Sequence, residues 1–152
     1  MKITELNRTD NDLLRQIRSC GWEAGELLYD LVVGGRIESF LGESTKIFVM
    51  ADGDKLVSFC TLSEKDDIQP TELTPWIGFV FTSPEYRGRH CAGEMIRHAE
   101  RVAAARGFAK IYISTNHTGL YEKYGYSFLC LMKDIHGEES RVYTKMLGTE
   151  EK

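Results

Sequence analysis

Apolar positions along the chain change period several times, and each change marks an element. Residues Met1-Lys2-Ile3-Thr4-Glu5-Leu6 alternate in the period-two manner of a strand. Two stretches of helical character follow, Asp12 to Arg18 and Glu23 to about Phe40, with Leu27, Leu28, Leu31 and Val32 expected on one face. Gly34-Gly35 interrupts the second. Strand patterns resume at Lys46–Met50 and Lys55–Leu62, on either side of Ala51-Asp52-Gly53-Asp54, whose Asp-Gly pair is a strong hairpin signal. Ser63 to Thr74 carries Glu64, Asp66, Asp67, Gln69, Pro70 and Glu72 with few apolar anchors, so it reads as a surface loop. Pro75 to Phe81 is then apolar almost throughout, as expected of a central strand covered on both faces.

The helical period returns after a basic turn. Ser83-Pro84-Glu85-Tyr86-Arg87-Gly88-Arg89-His90-Cys91-Ala92-Gly93 leads into Glu94 to Gly107, where Met95, Ile96, Ala99, Val102 and Ala103 recur at helical spacing and Gly107 supplies the stop. A buried strand therefore feeds a small-residue, basic turn that opens a helix. Unpaired N–H groups and the positive dipole end at such a start attract anions, and small residues let a diphosphate approach. A solvated helix cap is the other reading of this turn. Beyond it, Lys110–Ser114 has strand character, Thr118–Tyr126 holds a short helix ended by Gly125, and Phe128–Lys133 and Arg141–Met146 form a hairpin about His136-Gly137-Glu138.

Composition narrows the function classes. A length of 152 residues with 42% hydrophobic and 28% charged content suits a single domain over residues 1–152 and excludes a disordered or fibrous chain. The apolar runs are about strand length, far below the roughly 20 residues of a membrane span, and Met1 to Leu6 lacks a signal-peptide core. A cytoplasmic protein without a membrane partner is the expectation. The four cysteines, Cys20, Cys60, Cys91 and Cys130, form no CxxC pair, and the histidines lack zinc-site spacing, so reduced thiols and no metal are expected. A net charge of −4 disfavours a nucleic-acid partner and is compatible with a cationic small substrate, although it is also ordinary for a cytosolic domain.

The turn and the later tyrosine segment together resemble the GCN5-related N-acetyltransferase (GNAT) family over nearly the whole chain, in order. Its coenzyme A signature, Arg or Gln, two residues, Gly, one residue, then Gly or Ala, falls on Arg87, Gly88-Arg89, His90, Cys91 and Ala92, after the lead-in Pro84-Glu85-Tyr86. His90 stands where the signature has its first glycine, which suggests a wider turn or a backbone needing no positive φ; Gly93 is expected to keep the helix start open. Leu120-Tyr121-Glu122-Lys123-Tyr124-Gly125-Tyr126 looks like the family's leucine-tyrosine-glutamate-lysine-x-glycine-aromatic segment and is the more specific match. The resemblance implies a mixed α/β, acyl-CoA N-acyltransferase fold: a central splayed mixed sheet of six to seven strands with helices on both faces. It also implies acetyl-CoA as co-substrate and direct transfer of an acetyl group to a primary amine of a small molecule through a ternary complex.

Acetyl transfer to an amine needs an oriented neutral amine, a stabilised oxyanion and a proton for the departing thiolate. By the resemblance, Tyr121 donates that proton, as a phenol of reference pKa about 10 can; the alternative is a ring that only packs. Main-chain groups of Val80, Phe81 and Thr82 are expected along the pantetheine arm, with a backbone N–H near Val80 as oxyanion donor. Arg87, Gly88, Arg89, His90, Cys91, Ala92 and Gly93 are expected at the phosphates, and Asn116 beside the tyrosine or the cofactor, unless it only forms a turn. Ile113-Ser114-Thr115 offers no carboxylate where some members of the family carry a glutamate. Glu72 is then the first candidate for general base and Glu26 the second, while both residue types are also ordinary on a surface. A nucleophilic Cys91 lacks an evident His-carboxylate partner.

The acceptor surface is expected from the early helices and the Ser63–Thr74 loop, whose acidic residues suit a polyamine, an aminoglycoside-like compound or an amino-acid derivative. Two alternatives stay open: acetylation of a protein amine, and a non-catalytic acyl-CoA-binding module. A homodimer or interaction subunit using Trp22 or Tyr29 is compatible with the chain, as is a core role for both rings.

Overall fold

Seven strands form one sheet in the computed structural model, which describes residues 1–148; the last four positions of the expected 1–152 domain lie outside the described residues. The strands are β1 (Lys2–Glu5), β2 (Lys46–Asp52), β3 (Lys55–Ser63), β4 (Trp76–Thr82), β5 (Lys110–Thr115), β6 (Ser127–Lys133) and β7 (Glu139–Met146), in spatial order β1-β2-β3-β4-β5-β7-β6. β4 and β5 run parallel; every other neighbouring pair is antiparallel.

The alternation of β2 shows why the sheet is covered on both sides. Ile47 and Val49 join one core with α1 (Asn11–Arg18), α2 (Glu23–Val33) and α3 (Ile37–Leu41). Phe48 and Met50 point the other way, into the core built on Met95, Ile96, Ala99 and Ala103 of α4 (Cys91–Ala105). Period two thus sends successive apolar residues into two different helix layers. α1 starts where Asp10 accepts a hydrogen bond from the Leu13 N–H at 3.1 Å, a side-chain cap on an otherwise unpaired donor.

Three expectations change. Leu27 is 42% exposed rather than on the buried face. The contact stripe of α2 is Gly25, Leu28 and Leu31, because α2 approaches α1 so closely that a Cβ on Gly25 would lie 2.7 Å from the Ile17 carbonyl oxygen. The α4 helix begins at Cys91, three residues before the expected Glu94, since His90 has already turned the chain. The acidic connection between β3 and β4 is not wholly a surface loop: it buries Asp66, and Ile68 packs with Trp76, Tyr112 and Val142.

The sheet splits at its centre. β4 and β5 pair through Trp76 with Tyr112 and Ile77 with Ile113, at the start of β4 only. Beyond that point β4 carries one residue more than β3: Thr61 faces Gly78, yet Phe59 faces Phe81. Phe79 sits in the excess with φ 52°, a left-handed conformation that a bulky side chain rarely takes. Such a bulge bends its strand and takes a residue out of the ladder. β4 therefore parts from β5, and the gap opens toward the start of α4.

Candidate active site

A cleft of about 940 Å³ fills that gap, and three groups of residues from distant parts of the chain meet in it. Val80, Phe81 and Thr82 of the bent strand form one wall, and Ser114, Thr115 and Asn116 at the end of β5 form the other. Trp22 closes the side next to α2, its ring stacked on Phe81 with centroids 5.8 Å apart.

One end of the cleft is the start of α4. His90 has φ 63° and ψ 20°, so the signature's glycine position keeps its left-handed backbone although it holds a histidine. The expectation of a backbone without positive φ is corrected here; a side chain in this region costs roughly 1–2 kcal/mol. Among the described residues no side chain caps the N–H groups of this first turn, and Arg87, Gly88, His90, Cys91 and Ala92 all line the cleft. Gly88, at φ 82°, supplies a second left-handed residue that a Cβ would strain. Together the turn offers donors and a positive dipole end to an anion. Arg87 Nε donates to the Thr82 carbonyl at 3.1 Å, tying the turn to the end of β4. Arg89 instead lies over the Tyr86 ring, 5.2 Å from its centroid, outside the cleft lining. Gly93 faces the protein: a Cβ there would stand 2.8 Å from Tyr124 Cε1, so its smallness serves helix packing rather than approach of a ligand.

Tyr121 stands across the cleft from this wall, in a 3₁₀ turn Tyr121–Tyr124 that Gly125 ends at φ 94°. A network holds the turn against α4. Tyr126 donates to Glu100 Oε2 at 2.7 Å, and Lys145 Nζ donates both to Glu100 and, at 2.9 Å, to the Tyr124 carbonyl. The Tyr121 ring meets that of Tyr126 edge-on, with centroids 6.3 Å apart. Burial, with smaller contributions from Cys60, Tyr124 and Asp66, pushes the Tyr121 hydroxyl up to about 12. It therefore stays protonated through the neutral range, where it can give up a proton but holds no phenolate to take one.

Asp66 and Asp67, from the β3–β4 connection, line the cleft, and Asp134 lies beside them in the lining. Asp66 is 9% exposed, and its Oδ1 and that of Asp67 are buried without a hydrogen-bond partner among the described residues. Gly78 makes room for this carboxyl: a Cβ there would collide with Asp66 Oδ1 and lie 2.9 Å from its Cγ. Burial, then the neighbouring charge of Asp67, raises Asp66 to about 8; burial first also raises Asp67, with Asp134 adding to it.

Two sequence candidates fall elsewhere. Glu72 is exposed further along the same connection and Glu26 is exposed on α2; neither lines the cleft. Cys91 does line it, but its thiol is buried and donates to the Tyr86 carbonyl at 3.9 Å. Among the described residues no group of His, Cys, Asp and Glu could hold a metal ion, and no helix is long and apolar enough to cross a membrane. The pair the sequence missed, Asp66 and Asp67, had only an acidic loop as its signal; the glycine that accommodates it lies in another element.

An aminoglycoside 6'-N-acetyltransferase solved with coenzyme A is similar over 100% of both chains, with a TM-score of 0.75 at 17% identity. The aminoglycoside 6'-N-acetyltransferase of Enterococcus faecium is similar over 100% of both chains, with a TM-score of 0.71 at 16% identity. An acetyltransferase from Streptococcus agalactiae 2603 matches 96% of this chain and 98% of its own, with a TM-score of 0.70 at 20% identity. At such identities the likeness concerns the fold. No curated protein matches by sequence. The model of the acetyltransferase (GNAT) family matches residues 11–126, most of the chain, and with the splayed sheet and the signature turn at its opening this chain belongs to the GNAT family of acetyltransferases.

Proposed function

We propose that the chain is an N-acetyltransferase that moves the acetyl group of acetyl-CoA directly onto a primary amine of a small molecule. The observation that carries this reading is the meeting, in one cleft, of a helix start suited to phosphates, a phenol that stays protonated and a buried acidic pair. Acetyl-CoA supplies the activated thioester. The amides of residues 90 to 92, with Arg87 and Gly88, suit its diphosphate. Main-chain groups of Val80, Phe81 and Thr82, freed from β5 by the splay, suit the pantetheine arm, and Asn116 faces it from the opposite wall. In this reading a backbone N–H near Val80, beside the bulge, donates to the carbonyl oxygen, where a preorganised donor is worth about 10²–10³ in rate. Tyr121 gives the leaving sulfur its proton.

The acceptor enters from the side of Trp22 and the acidic pair, which favours a compact cationic amine over a folded protein surface. A polyamine, an aminoglycoside and an amino-acid derivative all carry such a group. Thiol release from acetyl-CoA, measured with a panel of these amines and a lysine peptide, tests the reading. Turnover with a small amine is expected; binding of acetyl-CoA without turnover of any amine would favour the binding-only alternative.

A further inference from the structure

We infer that Asp66, accommodated by the missing side chain of Gly78, is the group that takes the proton from the acceptor ammonium, and that Asp67 tunes it; this rests on the transferase reading above. The placement is unusual for a surface-type loop. Asp66 leaves β3 and folds back over the middle of the sheet, filling the volume that any other residue at position 78 would occupy. Gly78 directly precedes the bulged Phe79, so the carboxyl lies beside the point where β4 leaves β5. Its Oδ1 is fully buried yet unpartnered, and the residue lines the cleft. A buried carboxylate oxygen without a donor is costly, on the order of 1–3 kcal/mol, which raises the affinity of this carboxyl for a proton.

The groups facing the pair come from three other elements. Ser114 lies on β5, Asp134 follows β6, and Tyr121 lies across the cleft. All are neutral or acidic, and none of the salt bridges among the described residues involves Asp66 or Asp67. Arg87, His90, His117 and Lys123 line the same cleft without forming a salt bridge to the pair, so a cationic amine is a charge partner the pair can take.

Protons and electrons balance as follows. Ionised Asp66 takes one proton from the ammonium and later returns it to solvent. The freed nitrogen pair forms the C–N bond, the C–S bond breaks, and Tyr121 protonates the sulfur. The second proton lost by nitrogen restores the Tyr121 phenol. Burial and the Asp67 charge raise Asp66 to about 8, nearer neutrality than an ordinary carboxyl, and a base whose pKa lies near the ambient pH transfers protons most efficiently.

The experiment compares kcat/KM against pH for the unaltered chain and Asp66→Asn, using the amine turned over fastest in the panel. With Asp66 as acceptor, kcat/KM of the unaltered chain rises about tenfold per pH unit and levels near 8, because ionised enzyme and ammonium react together. In Asp66→Asn it should fall by about 10²–10⁴ at neutral pH and climb toward the amine's own pKa near 10, since only free amine then reacts. Asp67→Asn should move the limb to lower pH, since the neighbouring negative charge that helps to raise Asp66 is gone. Acetyl-CoA affinity, read by calorimetry, should stay within about threefold in both variants and reports an intact fold. An Asp66→Asn protein that binds acetyl-CoA and keeps the unaltered rate and limb overturns this assignment while the transferase reading stands. An unaltered chain that acetylates no amine overturns both.

Discussion

Replacing Tyr121 by phenylalanine separates proton donation from packing. The ring is buried, and phenylalanine keeps it together with the 6.3 Å edge-on contact to Tyr126. Losing the hydroxyl should change unfolding free energy by no more than about 1 kcal/mol, the usual net worth of one hydrogen bond. The acetyl-CoA contacts proposed at the α4 start lie on another element, so its affinity should hold. General acid catalysis contributes about 10²–10⁴ in rate, or roughly 2.7–5.4 kcal/mol of barrier at 1.36 kcal/mol per decade. The phenol is pushed up to about 12, so in the unaltered chain no alkaline limb from Tyr121 should appear below pH 10. Single-turnover mixing of the acetyl-CoA complex with amine is the right assay, because product release can limit kcat and mask the chemical step. A transfer step in Tyr121→Phe as fast as in the unaltered chain across that pH range would refute the assignment and make Tyr121 a packing residue.

Other outcomes follow from single contacts. Gly78→Ala should displace the Asp66 carboxyl and lower kcat/KM for the amine while acetyl-CoA affinity persists, a split read by steady-state kinetics and calorimetry. Gly93→Val drives a side chain into Tyr124 and should cost about 1–3 kcal/mol in urea unfolding before any effect on ligand is counted. At His90, held at φ 63°, valine should be less stable than glycine by at least about 1–2 kcal/mol in the same measurement. Asp66 is raised in the folded state above the ordinary carboxylate value, so the native protein holds the proton more tightly and stability should fall as pH rises from about 4 to about 8; Asp66→Asn should flatten that part of the unfolding profile.

Local chemistry made much of this protein legible. Ser83 to Gly93 announces a turn opening a helix, and the tyrosine segment ends in a glycine that is indeed left-handed. Both depend on neighbours in sequence, where steric and capping preferences act directly. The same local logic put Leu27 on the wrong side of α2, because the tight approach at Gly25, not the sum of apolar positions, sets how that helix is rotated.

The base could not be found in this way. Glu72 and Asp66 look alike in a sequence: acidic residues in one polar connection. Which of them enters the cleft depends on Gly78 having no side chain, on the bulge at Phe79, and on Ile68 anchoring the connection against Trp76 and Tyr112. His90 shows the converse, a backbone conformation imposed on a residue that does not favour it. The chain by itself determined the order of elements, the two covered faces of the sheet and the motif that opens α4, since these follow from periodicity and short-range sterics. Only the tertiary structure decided which carboxylate is buried and unpaired beside the point where β4 and β5 part, because burial and pairing are set by residues far apart in sequence.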